Sequence, residues 1–293
     1  MRRIPLDPVE TPLGEDLRLE RNAFLEEPEQ FELLQAAALV GRIEHPDLQL
    51  VAIEEAVESI VQQVREKIPV NGEWTAQLTA MVEVLFFDQG FCGDRHTYDD
   101  PQNSFLHRVL QRKRGLPITL SVLTIEVARR VGLSAFGIGF PGHFLVGLQR
   151  DAGDNLTDIL VIDPFARGRP LAKSDLNDLL HQQFGPQRHL APEDLMASSD
   201  AQILVRMLTN LRGSYARRRD AEHLARTLSR LLLFRPEDPE LFVERAAARR
   251  EILDAEGAKA DAEEALFRAN QDDLRLRAEF ILSQIEEERR WLH

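Results

Sequence analysis

The sequence predicts an α+β domain followed by an all-α repeat domain, and three observations carry that expectation. A segment over about 117–131 is apolar nearly all round, as a buried helix is. Immediately after it the hydrophobic period changes to two. In the last third of the chain a pattern returns after about 34 residues. The expected division is an extended lead-in over 1–28, an α+β domain over 29–197 and a helical repeat domain over 198–293.

The lead-in follows from Pro5, Pro8, Pro12 and Pro28 spaced among charges. Three helical patterns come next. Phe31, Leu34, Ala37 and Ala38 form the first, and Leu50, Ile53, Val57, Ile60 and Val64 the second. Leu78, Met81, Val82, Leu85 and Phe86 form the third, which Gly90 ends. Residues 91–103 read as a loop, after which Asn103 or Ser104 is placed to cap a short helix that stops at Gly115. Pro117 then opens the buried helix at the position where a missing N–H costs nothing. Residues 134–140, 143–149 and 158–163 read as an antiparallel meander with Pro141-Gly142 as its first turn. From 198 onward the pattern is helical. Leu233-Phe234-Arg235 returns as Leu266-Phe267-Arg268, and Asp220-Ala221-Glu222 as Asp254-Ala255-Glu256. A period near 34 with two helices per unit is the tetratricopeptide (TPR) spacing.

Composition narrows the function classes. With 36 Lys/Arg against 49 Asp/Glu the formal charge is −13, and 43% of residues are apolar, enough for a core. Residues 1–66 hold 6 basic and 15 acidic side chains, which argues against nucleic acid as a partner. The local run Arg108, Arg112, Lys113 and Arg114 reads as the solvated end of a helix, where cations suit the dipole. No apolar stretch approaches the ~20 residues that span a bilayer, and none follows Arg2 and Arg3 as a secretory signal would require. The single cysteine, Cys92, excludes an internal disulfide framework and a multi-cysteine zinc site. The expectation is a soluble, cytoplasmic protein with no cofactor.

The meander brings chemistry together. In an antiparallel arrangement the start of the second strand and the end of the third share one sheet edge, which places His143 near Asp163. A carboxylate there fixes the imidazole tautomer. The bland alternative is a histidine in a tight turn and an aspartate closing a strand before Pro164.

Several separated segments resemble a known family: Tyr98-Asp99-Asp100-Pro101-Gln102-Asn103-Ser104, Gly115-Leu116-Pro117, Arg129-Arg130-Val131-Gly132-Leu133, Phe140-Pro141-Gly142-His143-Phe144 and Ile162-Asp163-Pro164-Phe165. Over about residues 30–290 the chain resembles the transglutaminase-like (papain-like) core, in particular bacterial SirB-type proteins in which TPR helices follow that core. In active members a cysteine opens the buried helix, and histidine and aspartate follow on successive strands. By that resemblance His143 and Asp163 occupy the second and third triad positions, and Pro117 stands where the nucleophile belongs. Proline offers no nucleophilic atom.

Substitute nucleophiles are few. Cys92 precedes His143 and Asp163 in the required order but lies off the helix tip, and a lone cysteine is commonly a small buried hydrophobe. Thr119 and Ser121, with Asn103 and Ser104, could border a pocket at that tip, although helical hydroxyls commonly bond back to a carbonyl. No metal site is expected, because the eight histidines, His181 and His189 included, show no ligand spacing. Two readings stand. One is a non-catalytic pseudoenzyme whose C-terminal helices hold a protein partner. The other is a thiol-dependent amidase, peptidase or acyltransferase using Cys92, His143 and Asp163. Oligomeric state is open, with Trp291 and Leu292 able to seal the last helix or pair with a second copy.

Overall fold

The computed structural model describes residues 33–150 and 159–291. The expected lead-in over 1–28, Phe31, the side chain of Trp291 and Leu292 lie outside the described residues. Two compact units are formed, one by residues 33–42 and 47–207 and the other by 43–46 and 208–291.

The first unit begins with α1 (Leu33–Leu39) and α2 (Leu50–Lys67), the latter burying Ile53, Val57, Ile60, Val61 and Val64 on one face. α3 (Trp74–Val82) runs into a π-helical turn, Glu83–Asp88. The loop reading of residues 91–103 needs one amendment: β1 (Cys92–Gly93) pairs in parallel with β2 (Arg114–Gly115). Two residues are too short to carry a period. Between these strands lies α4 (Leu106–Arg112), whose cap differs from expectation. Phe105 is the N-cap, and its side chain does not cap the helix. The Asn103 amide is spent on the Thr97 carbonyl at 2.6 Å, and Asp100 caps the preceding turn Pro101–Asn103. Lys113, in the left-handed region at φ 59°, ends the helix in place of Gly115.

α5 (Pro117–Arg130) is buried continuously from Pro117 to Ala128. Its one buried charge, Glu126, lies 3.8 Å from both Arg129 and Arg130. Beside it β3 (Ser134–Ile138), β4 (Leu145–Gln149) and β5 (Ile159–Asp163) form the meander. β6 (Arg169–Leu171) and β7 (Ala197–Ser198) extend it to a five-stranded antiparallel sheet in the order β6-β5-β4-β3-β7. Pro170 is confined to an edge strand, where its missing donor breaks no ladder. α6 (Lys173–Phe184) lays Leu176 and Leu180 against Ile138, Phe140, Leu145 and Val161.

α7 (Asp200–Arg218) carries the division between the units at 207/208. In the second unit it is followed by α8 (Ala221–Phe234), α9 (Pro239–Glu251), α10 (Ala255–Arg268) and α11 (Asp272–Trp291). The repeated Asp-Ala-Glu has one structural role at both places. Asp220 caps α8 by accepting from the His223 amide at 3.2 Å, and Asp254 caps α10 by accepting from Gly257 at 2.9 Å. α9 packs against α8 and α10. Between α9 and α10 Arg245 grips buried Asp261 with two bonds of 2.8 and 2.6 Å, and Arg249 reaches it at 3.1 Å. Residues 43–46 are tied to this unit by Tyr215, whose hydroxyl donates to Glu44 at 2.8 Å, and by Arg226, which donates to the Ile43 carbonyl at 3.0 Å. Among the described residues no helix is long and apolar enough to cross a membrane.

Candidate functional site

The antiparallel register pairs Val146 with Ile162, so the next outward pair would be Leu145 and Asp163. His143 stands two residues before Leu145. Its place is in the turn rather than at the strand head, because Gly142 adopts φ 72° and the His143 amide closes back on the Phe140 carbonyl at 3.0 Å. The imidazole nevertheless reaches the sheet edge, with Nε2 3.0 Å from Oδ1 of Asp163. Among the described residues that nitrogen has no aligned hydrogen-bond partner, so the contact is close but misdirected. Asp163 Oδ1 also accepts from the Phe165 amide at 2.9 Å and thereby caps the turn that ends the strand. Both side chains are largely buried.

A set of residues that sequence reasoning did not single out surrounds the pair. Arg206 donates through Nη2 to the carbonyls of His143 (2.7 Å) and Phe140 (3.3 Å), and its guanidinium lies over the Phe144 ring. It thus pins the turn that presents His143. Burial lowers its pKa from the usual arginine value, against a smaller raising effect of Tyr98. The Phe165 ring meets both His143 and Tyr98 edge-on at 6.0 Å, and Arg95 lies over it at 5.6 Å. Burial likewise raises the Tyr98 hydroxyl pKa, which Arg206 opposes and Asp99 reinforces. The Phe165 signal lay in the Ile162–Phe165 segment itself. Arg206 gave none, being far along the chain on α7.

At the tip of α5 no side chain caps the helix. The Leu116 amide donates to the Asn103 carbonyl at 3.1 Å, so loop 94–103 is tied to the helix start. Asn103, Ser104, Thr119 and Ser121 are all buried. Ser121 reaches the Phe144 carbonyl at 3.4 Å, whereas Asn103 Oδ1 and Thr119 Oγ1 have no hydrogen-bond partner among the described residues. Pro117 is buried at the first helical position.

Cys92 is half-buried on β1, whose backbone is fixed by the bond from its own amide to the Lys113 carbonyl at 3.0 Å. The neighbouring Gly93 makes room for Phe165: a Cβ there would sit 2.3 Å from the ring. β1 therefore lies against the turn that follows Asp163. The loop after it is held by buried Asp94, which accepts from the amides of His96 (3.1 Å) and Thr97 (3.0 Å), the Thr97 hydroxyl (2.7 Å) and Arg112 (3.4 Å). Burial acts to raise the Asp94 pKa, but the Thr97 and His96 bonds and Arg112 outweigh it, and the net shift is downward.

Three of the four cations at the end of α4 are engaged locally, and Arg114 is exposed. Arg108 donates to Gln102 and Gln111, Arg112 lies near Asp94 and Asp100, and Lys113 bonds Gln89 above the Phe91 ring. Burial lowers the Lys113 pKa. Among the described residues no group of three or more His, Cys, Asp or Glu could hold a metal ion. His181 and His189 only meet edge-on at 5.5 Å.

Comparison with known proteins identifies the family. Residues 51–209 match the sequence profile of the transglutaminase-like superfamily. A UPF0162 protein of Xylella fastidiosa (strain Temecula1) is 36% identical over 84% of this chain and 86% of its own. One from Vibrio cholerae is 26% identical over 73% and 77%. The crystal structure of menin aligns with a TM-score of 0.40 at 11% identity, covering 85% of this chain and 69% of menin. A helix buried on all sides, an antiparallel sheet and a His–Asp pair at its edge thus accompany a match over more than half the sequence, and the chain belongs to the transglutaminase-like superfamily and to its UPF0162 family.

Proposed function

We propose that this protein is a non-catalytic, transglutaminase-like interaction protein that keeps the His143–Asp163 pair but has no nucleophile at the helix tip. The observation that carries the reading is Pro117, buried at the first position of α5 where a thiol would be required. On this reading the C-terminal helices, taken as TPR-like repeats, hold a protein partner. The paired N-caps Asp220 and Asp254 support the repeat. Exposed Leu276 and Phe280 on α11 supply apolar surface beside Val243 and Ile281.

A second reading, a thiol enzyme using Cys92 with His143 and Asp163, is favoured by the packing of β1 against the turn after Asp163. One experiment separates the two. Iodoacetamide labelling of native wild type and H143A is followed between about pH 5 and 9, alongside ammonium release from a glutamine-containing peptide. The non-catalytic reading expects equal labelling rates and no release. A Cys92 reaction that depends on His143, or release lost in C92A, would overturn it.

A further inference from the structure

Arg206 has a second side. While Nη2 holds the carbonyls of Phe140 and His143, the same side chain lines a cavity of about 370 Å³ together with Phe144, Glu193, Met196 and Ser198. Among the described residues no carboxylate pairs with its guanidinium. A half-buried charge set among neutral carbonyls and an aromatic ring is under-compensated, which agrees with its lowered pKa. Nη1 faces Gly139, where a Cβ would stand 3.6 Å from Nη1 and 3.1 Å from Ser198 Oγ. The bare glycine therefore keeps open a small space bordered by one cationic and one hydroxyl donor.

Glu193 completes the pattern. Its carboxylate is exposed and, among the described residues, has no ion-pair partner, although it lines the same cavity. Its neighbour Asp194 is by contrast fully engaged, by Arg188 on one oxygen and by the Ala191 amide on the other. Two opposite charges thus border one cavity and do not meet each other. A ligand carrying the complementary charges at its two ends would satisfy both at once, and apolar atoms between them would lie against Phe144 and Met196.

We propose that this cavity binds a small zwitterion, an amino acid or short peptide, with its carboxylate on Arg206 Nη1 and Ser198 Oγ and its ammonium on Glu193. The site does not depend on whether the His143–Asp163 pair is catalytic. Because Arg206 also holds the His143 carbonyl, occupancy would tighten the turn that carries the imidazole.

Calorimetric titration of the full chain with L-alanyl-L-alanine tests the assignment, with N-acetyl-alanine and alaninamide as single-charge probes. Saturable binding of the dipeptide is expected, with each single-charge probe at least about tenfold weaker, the loss of one charge-assisted contact. Glu193→Gln should lower dipeptide affinity by a similar factor and leave N-acetyl-alanine unchanged. Gly139→Ala should weaken both carboxylate probes. Neither position supports the His143 turn through a side chain, and circular dichroism verifies that both variants fold. Absence of saturable dipeptide binding overturns the proposal. So does binding that both variants retain, or N-acetyl-alanine binding as tight as the dipeptide, which would mark a plain anion site.

Discussion

At the residue scale, the nearness of His143 to Asp163 followed from strand direction and the short turn before β4. The misalignment of Nε2 did not, since it depends on a glycine turn two residues before the strand. Asp94 was equally hidden. Nothing in its spacing says that three local donors and an arginine converge on it. Its pKa is lower folded than the ordinary 3.8, so its contribution is complete above that value and disappears as pH falls through the folded one. Asp94→Asn should therefore cost about 1.5–3 kcal/mol at neutral pH, the range for hydrogen bonds to a charged group. Urea titrations at several pH values should show the gap from wild type closing below about pH 4. Gly93→Ala is a steric counterpart. Its Cβ would collide with the Phe165 ring, so unfolding midpoints should report a loss of about 1–3 kcal/mol.

Long periodic elements were readable and short ones were not. α2 and α5 follow from runs of apolar residues that can only be buried on one face or on all. β1, β2 and β7 have two residues each, and β6 has three with a proline inside, so tertiary pairing rather than pattern defines them. The expected caps at Asn103 and Ser104 failed because the helix starts at Leu106, which puts Phe105 at the cap position, while the Asn103 amide is turned to the Thr97 carbonyl. Asp220 and Asp254 do the same work in α8 and α10. Alanine at either should cost about 1 kcal/mol, and the double variant close to the sum, since the sites share no partner. Denaturant unfolding of the three variants measures both statements.

For the whole molecule, charge balance governs what approaches it. The chain carries −13, and three of the four cations at the end of α4 are engaged, by Gln102, Gln111, Asp94, Asp100 and Gln89, with Arg114 left exposed. Heparin should therefore not retain the protein at low salt, and retention with a steep salt slope would contradict this account. No linker marks the two-unit division in the sequence, because α7 crosses it without interruption and residues 43–46 join the unit formed mostly by the end of the chain. Pro117 has a last consequence. A ring at the first helical position already holds the backbone angle that the helix needs, and it donates nothing. Exchanging it for cysteine should leave the urea midpoint within about 1 kcal/mol of wild type. The scaffold would then serve as a recipient in which sulfur chemistry is installed from scratch, and any reactivity gained would be owed to the neighbourhood that the ring had left idle.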